Sequence, residues 1–184
     1  MGPHQRGWLC VTGGQQRPRC CTLLLHEEPH MRHWIFLFRP ETYEDVKRLG
    51  LVGVRYDHRR RFAEVAEGAR FVAYISRERV LDGAGVVTGP GFADSAAVAP
   101  GWAGYPLRAP VAFTASGRRR DARQLLWGLS ECQVGIKTEP TNLLFCRGGF
   151  MEIPRADFDW LLRVLDEGDG VAAERLSIAS DGPA

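Results

Sequence analysis

The densest chemistry in the chain is a seven-residue run at residues 55–61, where Arg55, Arg59, Arg60 and Arg61 surround Tyr56, Asp57 and His58. Guanidinium groups are planar and permanently charged, and they suit both bidentate phosphate contact and stacking on bases. Beside an imidazole and a phenol they form a ready contact for the backbone of single-stranded or opened nucleic acid. A solvated charge run is the plain alternative. Aromatic residues are interleaved with this basic region: Trp34 and Tyr74 in apolar, strand-like stretches, and Trp102 and Tyr105 at the end of a long loop. An aromatic face stacks a nucleobase at roughly 1–3 kcal/mol, so one or two such rings beside the arginines suffice to hold an extruded base. For each ring taken singly, core packing is the competing use.

Other chemistries are poorly supplied. His4, Cys10, Cys20, Cys21, His26, His30 and His33 could ligate a metal, but adjacent cysteines and irregular histidine spacing do not make a zinc knuckle. Cys132 and Cys146 lack the local signature of an activated nucleophile. No phosphate-gripping P-loop, H-E-x-x-H or G-x-S-x-G motif occurs. These residues point to a non-enzymatic binding protein without metal or cofactor. Two alternatives stay open: an enzyme acting on nucleic acid or a nucleotide through His58 and a neighbouring carboxylate, and an interaction module that uses an acidic C-terminal helix and tail.

The composition agrees with a binding role. The chain has 184 residues and 45% hydrophobic content, enough for one domain with a substantial core. Of 24 basic residues only Lys47 and Lys137 are lysines, and 22 acidic residues bring the formal charge to +2. Residues 55–120 carry eleven basic and six acidic side chains, whereas residues 150–184 carry three and eight. This dipolar distribution lets one face attract a polyanion while the whole stays near neutral. Five cysteines without framework spacing suggest a reducing compartment. No stretch approaches the roughly 20 apolar residues of a membrane helix, and no signal-peptide pattern is present. A cytoplasmic protein with no membrane partner is expected.

The elements that must position these residues begin at Met31. The first thirty residues show no sustained period, so residues 1–30 are expected to be a disordered extension or the product of an upstream start, with the domain at 31–166 and an acidic flexible tail at 167–184. Apolar, β-branched and aromatic runs predict strands at 33–38, 51–54, 70–76, 83–88, 105–114 and 142–146. Helices are expected at 42–49, closed by Gly50, at 121–129 and at 154–165. In the last helix Phe158, Leu161, Leu162 and Leu165 mark the core face, with Trp160 at its edge. Residues 89–104 form a Pro/Gly/Ala loop long enough to serve as a lid or binding loop. Short strands interrupted by short helices argue an α+β fold built on a small barrel.

Several segments in order, HWIFLFRPETYED, GVRYDHRRRFAEVAEGARFVAYIS, GAGVVTGPGFADS, YPLR and NLLFCRGGFMEIPRADFDWLL, resemble the EVE domain. That family is a branch of the PUA-like superfamily, related to YTH and ASCH modules, and the resemblance runs from about residue 33 to residue 165. It implies a small PUA-like β-barrel with short surrounding helices. It also implies a reader of bases in DNA or RNA, modified bases in particular, through an aromatic-lined pocket. By matching segments, Trp34 would lie beside that pocket, Val54 and Arg55 would form its rim with backbone groups facing the base edge, and Tyr74 and Ser76 would close its floor. His58, Arg59 and Arg60 would address the nucleic-acid backbone, and Trp102 and Tyr105 would supply the other stacking face. Leu51 and Val52 stand where many members of that family carry a tryptophan, which removes one aromatic wall.

Overall fold

The computed structural model describes residues 31–115, 119–130, 149–168 and 171–172. Its first strand, β1 (His33–Phe38), alternates its side chains between two buried layers. Trp34, Phe36 and Phe38 enter one hydrophobic cluster, and Ile35 enters another. That is why HWIFLF reads as a continuous apolar run and not as an amphipathic strand. The helix α1 (Pro40–Leu49) follows. It starts two residues before the expected position because Pro40, with φ already suited to a helix and no N–H to lose, occupies the first turn. It ends at Gly50, whose φ of 63° is the left-handed cap conformation and whose N–H donates to the Val46 carbonyl.

The chain then forms β2 (Leu51–Val54), a 3-10 turn at Tyr56–His58 and the single-turn helix α2 (Arg59–Phe62), so the basic run is folded and not a plain loop. β3 (Arg70–Ile75) and β4 (Val80–Val87) make an antiparallel hairpin. The long loop contains a short strand, β5 (Phe92–Ala93), and a 3-10 turn at Trp102–Gly104. β6 (Leu107–Ala115), β7 (Arg120–Asp121) and α3 (Ala122–Trp127) follow, the Asp121 carboxylate capping α3 through the Arg123 N–H. β8 (Phe150–Ile153), not foreseen from the sequence, pairs with β1 and leads through Pro154 into α4 (Arg155–Glu167). The strand expected at residues 142–146 and all five cysteines lie outside the described residues.

Among the described residues the strands form one curled sheet in the order β2-β6-β4-β3-β1-β8, with β5 beside β6 and β7 beside β4. β1 and β3 are parallel, and the other pairs are antiparallel. The fold is thus α+β, a half-barrel with a few short helices. Inside the curl Phe36 packs 4.9 Å from Phe71, and Trp34 packs 5.6 Å from Phe150, measured between ring centroids. On the outside, α3 and α4 cover Ile35, Val72, Tyr74 and Leu81. The buried stripe of α4 runs through Phe158, Trp160, Leu161, Val164 and Leu165. It is turned toward Trp160 and Val164 and away from the half-buried Leu162. Asp157 explains the turn: it is buried on this helix and accepts hydrogen bonds from the Ser130 N–H (2.9 Å) and Oγ (2.8 Å). No helix among the described residues is long and apolar enough to cross a membrane.

Candidate functional site

Among the described residues the sheet order ends at β2, so one edge of that strand has no neighbouring strand there. A cavity of about 280 Å³ opens there, between β2, the end of β1, the first turns of α1 and the loop carrying Trp102 and Tyr105. Its inner walls are apolar, with Phe36, Phe38, Val46, Val52 and Val54 among them. Among the described residues its polar side chains are those of Arg39, Thr42, Arg55, His58 and Tyr105, with no carboxylate.

The register decides which backbone groups face this space. The Val111 N–H donates to the Gly50 carbonyl at 2.8 Å, and Leu51 lies opposite Pro110. In an antiparallel ladder the hydrogen-bonded pairs alternate, so Val52 and Val54 bond to β6 while Leu51 and Gly53 turn their N–H and C=O outward. The other side of β6 agrees: the Asp94 N–H donates to the Pro106 carbonyl at 2.7 Å, which puts the backbone groups of Arg108, the partner of Gly53, on the β5 side. Gly53 therefore offers a donor and an acceptor to the cavity. A side chain there would collide with its walls, since a Cβ would lie 2.9 Å from Tyr105 Cβ and 3.1 Å from Trp102 Cζ3.

The Trp102 wall is held from two sides. Its Nε1 donates to Asp45 of α1 at 3.3 Å, and Asp45 also accepts from Arg48 at 2.7 Å. Behind it lies Arg108, 0% exposed, with its guanidinium carbon 5.9 Å from the Trp102 ring. Arg108 donates to Asp94 (2.6 Å), to the Ala96 carbonyl and to the Tyr105 carbonyl (3.4 Å), so one buried cation fastens three points of the long loop to β6. A second cavity of about 230 Å³ adjoins the first across Arg39, Thr42, Trp102 and Tyr105, and there Arg77 pairs with Glu41 at 3.0 Å.

The four arginines of residues 55–61 have separate fates. Arg55 lines the cavity and sits 3.5 Å from Asp57, which is also 3.7 Å from His58 Nε2. Arg59 lies over the Tyr56 ring at 5.1 Å, and Arg61 lies over Phe150 at 5.5 Å. Arg60 is exposed and makes no ion pair among the described residues.

Of the residues singled out from the sequence, the structure brings Val54, Arg55, His58, Trp102 and Tyr105 to one cavity. Arg59 and Arg60 stand on the adjacent turn. Trp34 does not line the cavity: it is fully buried inside the curl, and its Nε1 has no hydrogen-bond partner among the described residues. Tyr74 is on the opposite face of the sheet, under α3 and α4, because it falls in phase with Val72 and out of phase with Phe71 and Ala73. Ser76 follows β3 and donates its N–H to the Phe38 carbonyl at 2.9 Å, outside the cavity lining. Gly53, Arg39, Thr42 and Asp45 were not read as site residues. Only the Gly-Val of residues 53–54 offered a signal, a glycine inside a strand marking close approach.

No family model and no curated protein matches the chain. Solved structures do match in fold. The YTH domain of Zygosaccharomyces rouxii MRB1 protein, in complex with N6-methyladenosine RNA, superposes with a TM-score of 0.56 at 15% identity, covering 76% of this chain and 90% of that one. A hypothetical protein from Leishmania major gives 0.55 at 18% identity over 74% and 96%. The YTH domain-containing protein mmi1, in an RNA complex, gives 0.53 at 15% over 78% and 85%. At these identities the likeness establishes a shared architecture.

Proposed function

We propose that the protein is a non-enzymatic reader of nucleic acid that takes one extruded base, in particular a modified one, into the cavity beside β2. The observation that carries this reading is the combination at that cavity of apolar and aromatic walls, an outward-facing donor and acceptor on Gly53, and a basic rim. Ligand pockets run from about 300 to 1,000 Å³, so a volume of about 280 Å³, just under that range, suits a single ring system. Tyr105 would lie against the base with Trp102, 1% exposed, holding the wall in place, the Gly53 main chain would hydrogen-bond the base edge, and the aliphatic wall at Val52 and Val54 would meet an added alkyl group. Arg39, Arg55 and Arg60 would hold the flanking phosphates. Nucleic-acid complexes among the proteins of similar fold support the same reading.

The test is direct binding, by fluorescence anisotropy, of short single strands that differ only at one central base. The panel comprises DNA with cytosine, 5-methylcytosine, 5-hydroxymethylcytosine, adenine or N6-methyladenine, and RNA with adenosine or N6-methyladenosine. At least one modified base should bind about tenfold more tightly than its unmodified parent, the scale of one well-made contact. Uniform affinity across the panel would remove base reading, and no binding at all would remove the function.

A further inference from the structure

Tyr56 opens the 3-10 turn beside the cavity, flanked in sequence by Arg55 and, two residues on, by His58, both of which line it. The residue is 59% exposed, and the Arg59 guanidinium lies over its ring at 5.1 Å. A lone exposed tyrosine is ordinary surface. This one is different in its company: an arginine set against the ring, an exposed Arg60 one residue further on, and a base-sized cavity whose rim begins at the preceding residue, about 3.8 Å away along the backbone.

We infer that the Tyr56–Arg59 pair is a second nucleobase site, an open stacking shelf for the base next to the one held in the cavity. The inference rests on the base-reading function proposed above and extends it from one nucleotide to two. Removing a base from a strand leaves its neighbour without a stacking partner, and that loss is part of what extrusion costs. An exposed ring with a cation beside it replaces the lost partner, because every base has a π-face and guanidinium adds its own attraction to it. Among the described residues the shelf is open to solvent, so it accepts any base and prefers purines for their larger face. The cavity and the shelf divide the labour, one discriminating and the other tolerant.

The test uses the full chain and single-stranded nonamers with central 5-methylcytosine in DNA or N6-methyladenosine in RNA. The central base is flanked on both sides by 2-aminopurine, by thymine or uracil, or by abasic sites. The wild type should quench 2-aminopurine on binding and lose about tenfold in affinity when the neighbours are abasic. Tyr56→Ala should abolish both the quench and the neighbour dependence, and Tyr56→Phe should keep both. Equal affinity of the wild type for abasic and base-flanked strands, or a neighbour dependence that survives in Tyr56→Ala, overturns the shelf. A Tyr56-dependent quench in a protein indifferent to the central base upholds the shelf and removes the cavity reading, so the two ideas can fail separately.

Discussion

Gly53 is where a single atom should separate fold from function. A Cβ at this position meets Tyr105 and Trp102 at 2.9 and 3.1 Å, so Gly53→Val must displace the loop wall or fill the cavity. Overpacking of this kind costs about 1–3 kcal/mol, which a folded domain can absorb. The expected outcome is a modest drop in urea midpoint and loss of the preference for a modified base, with sequence-independent affinity retained; anisotropy on the panel and equilibrium unfolding measure the two. His33 gives a second prediction at this scale. Burial, and after it the nearby Arg70 cation, holds its imidazole below the ordinary pKa of 6.5, and its ring packs 4.7 Å from Phe158. Above pH 6.5 neither state binds the proton, and the folded form keeps its full stability. As pH falls through 6.5 the unfolded chain takes up a proton that the folded chain refuses, so stability declines until the lowered folded pKa is passed. His33→Gln should therefore show a smaller fall in unfolding midpoint between pH 7.5 and 5.5 than the wild type. The residue types at the cavity were partly legible in the sequence. Arg55, His58, Trp102 and Tyr105, singled out by their chemistry, line one cavity, whereas Trp34 and Tyr74 lie outside its lining, because a strand buried on both faces gives no hydrophobic period to say which way a ring points.

The long loop between β5 and β6 looks free in sequence, being rich in Gly, Pro and Ala, yet the structure fastens it. Arg108 was unremarkable as one arginine among many, since nothing in its YPLRAP surroundings announces a side chain that is 0% exposed. Its partner Asp94 is 40% exposed, and this asymmetry yields a prediction. Asp94→Ala leaves a buried guanidinium without its counter-charge and should cost about 3 kcal/mol or more. Arg108→Met puts an apolar chain in the buried space and leaves a carboxylate that water can reach, so it should destabilise less, while freeing the loop that carries Trp102 and Tyr105. Urea unfolding should rank Asp94→Ala as the worse variant, and hydrogen exchange across residues 94–105 should be faster in both. The reverse ranking would mean that the clamp is not electrostatic. The elements themselves were read with uneven success for identifiable reasons. β1, β2 and β3 stood out through dense apolar and β-branched runs, and α1 through its glycine stop. β8 escaped because four residues, FMEI, directly before a proline carry too little pattern, and its strand character comes from pairing with β1 far away in the chain.

At the scale of the whole molecule, a formal charge of +2 would draw a polyanion only weakly if it were evenly spread. The fold concentrates arginines on one side, with the Asp57 carboxylate among them. The cavity rim and the turn beside it gather Arg39, Arg55, Arg59 and Arg60, whereas α4, packed on the outer face of the sheet, presents Asp159, Asp166 and Glu167 along with Arg155 and Arg163. Binding should then depend on salt through a few local contacts and not through net charge. For single strands each neutralised phosphate contributes about −0.7 to the slope of log K against log salt. Arg60→Ala removes one exposed cation on the turn beside the cavity and should make the slope shallower by roughly 0.7, weakening every strand in the panel alike. Arg163→Ala changes the net charge by the same amount on the far layer, and it should leave both slope and affinity as they were. Titrations between 50 and 300 mM KCl compare the two variants directly. Equal effects would show that the overall charge, and not the arginine-bearing turn beside β2, attracts the nucleic acid.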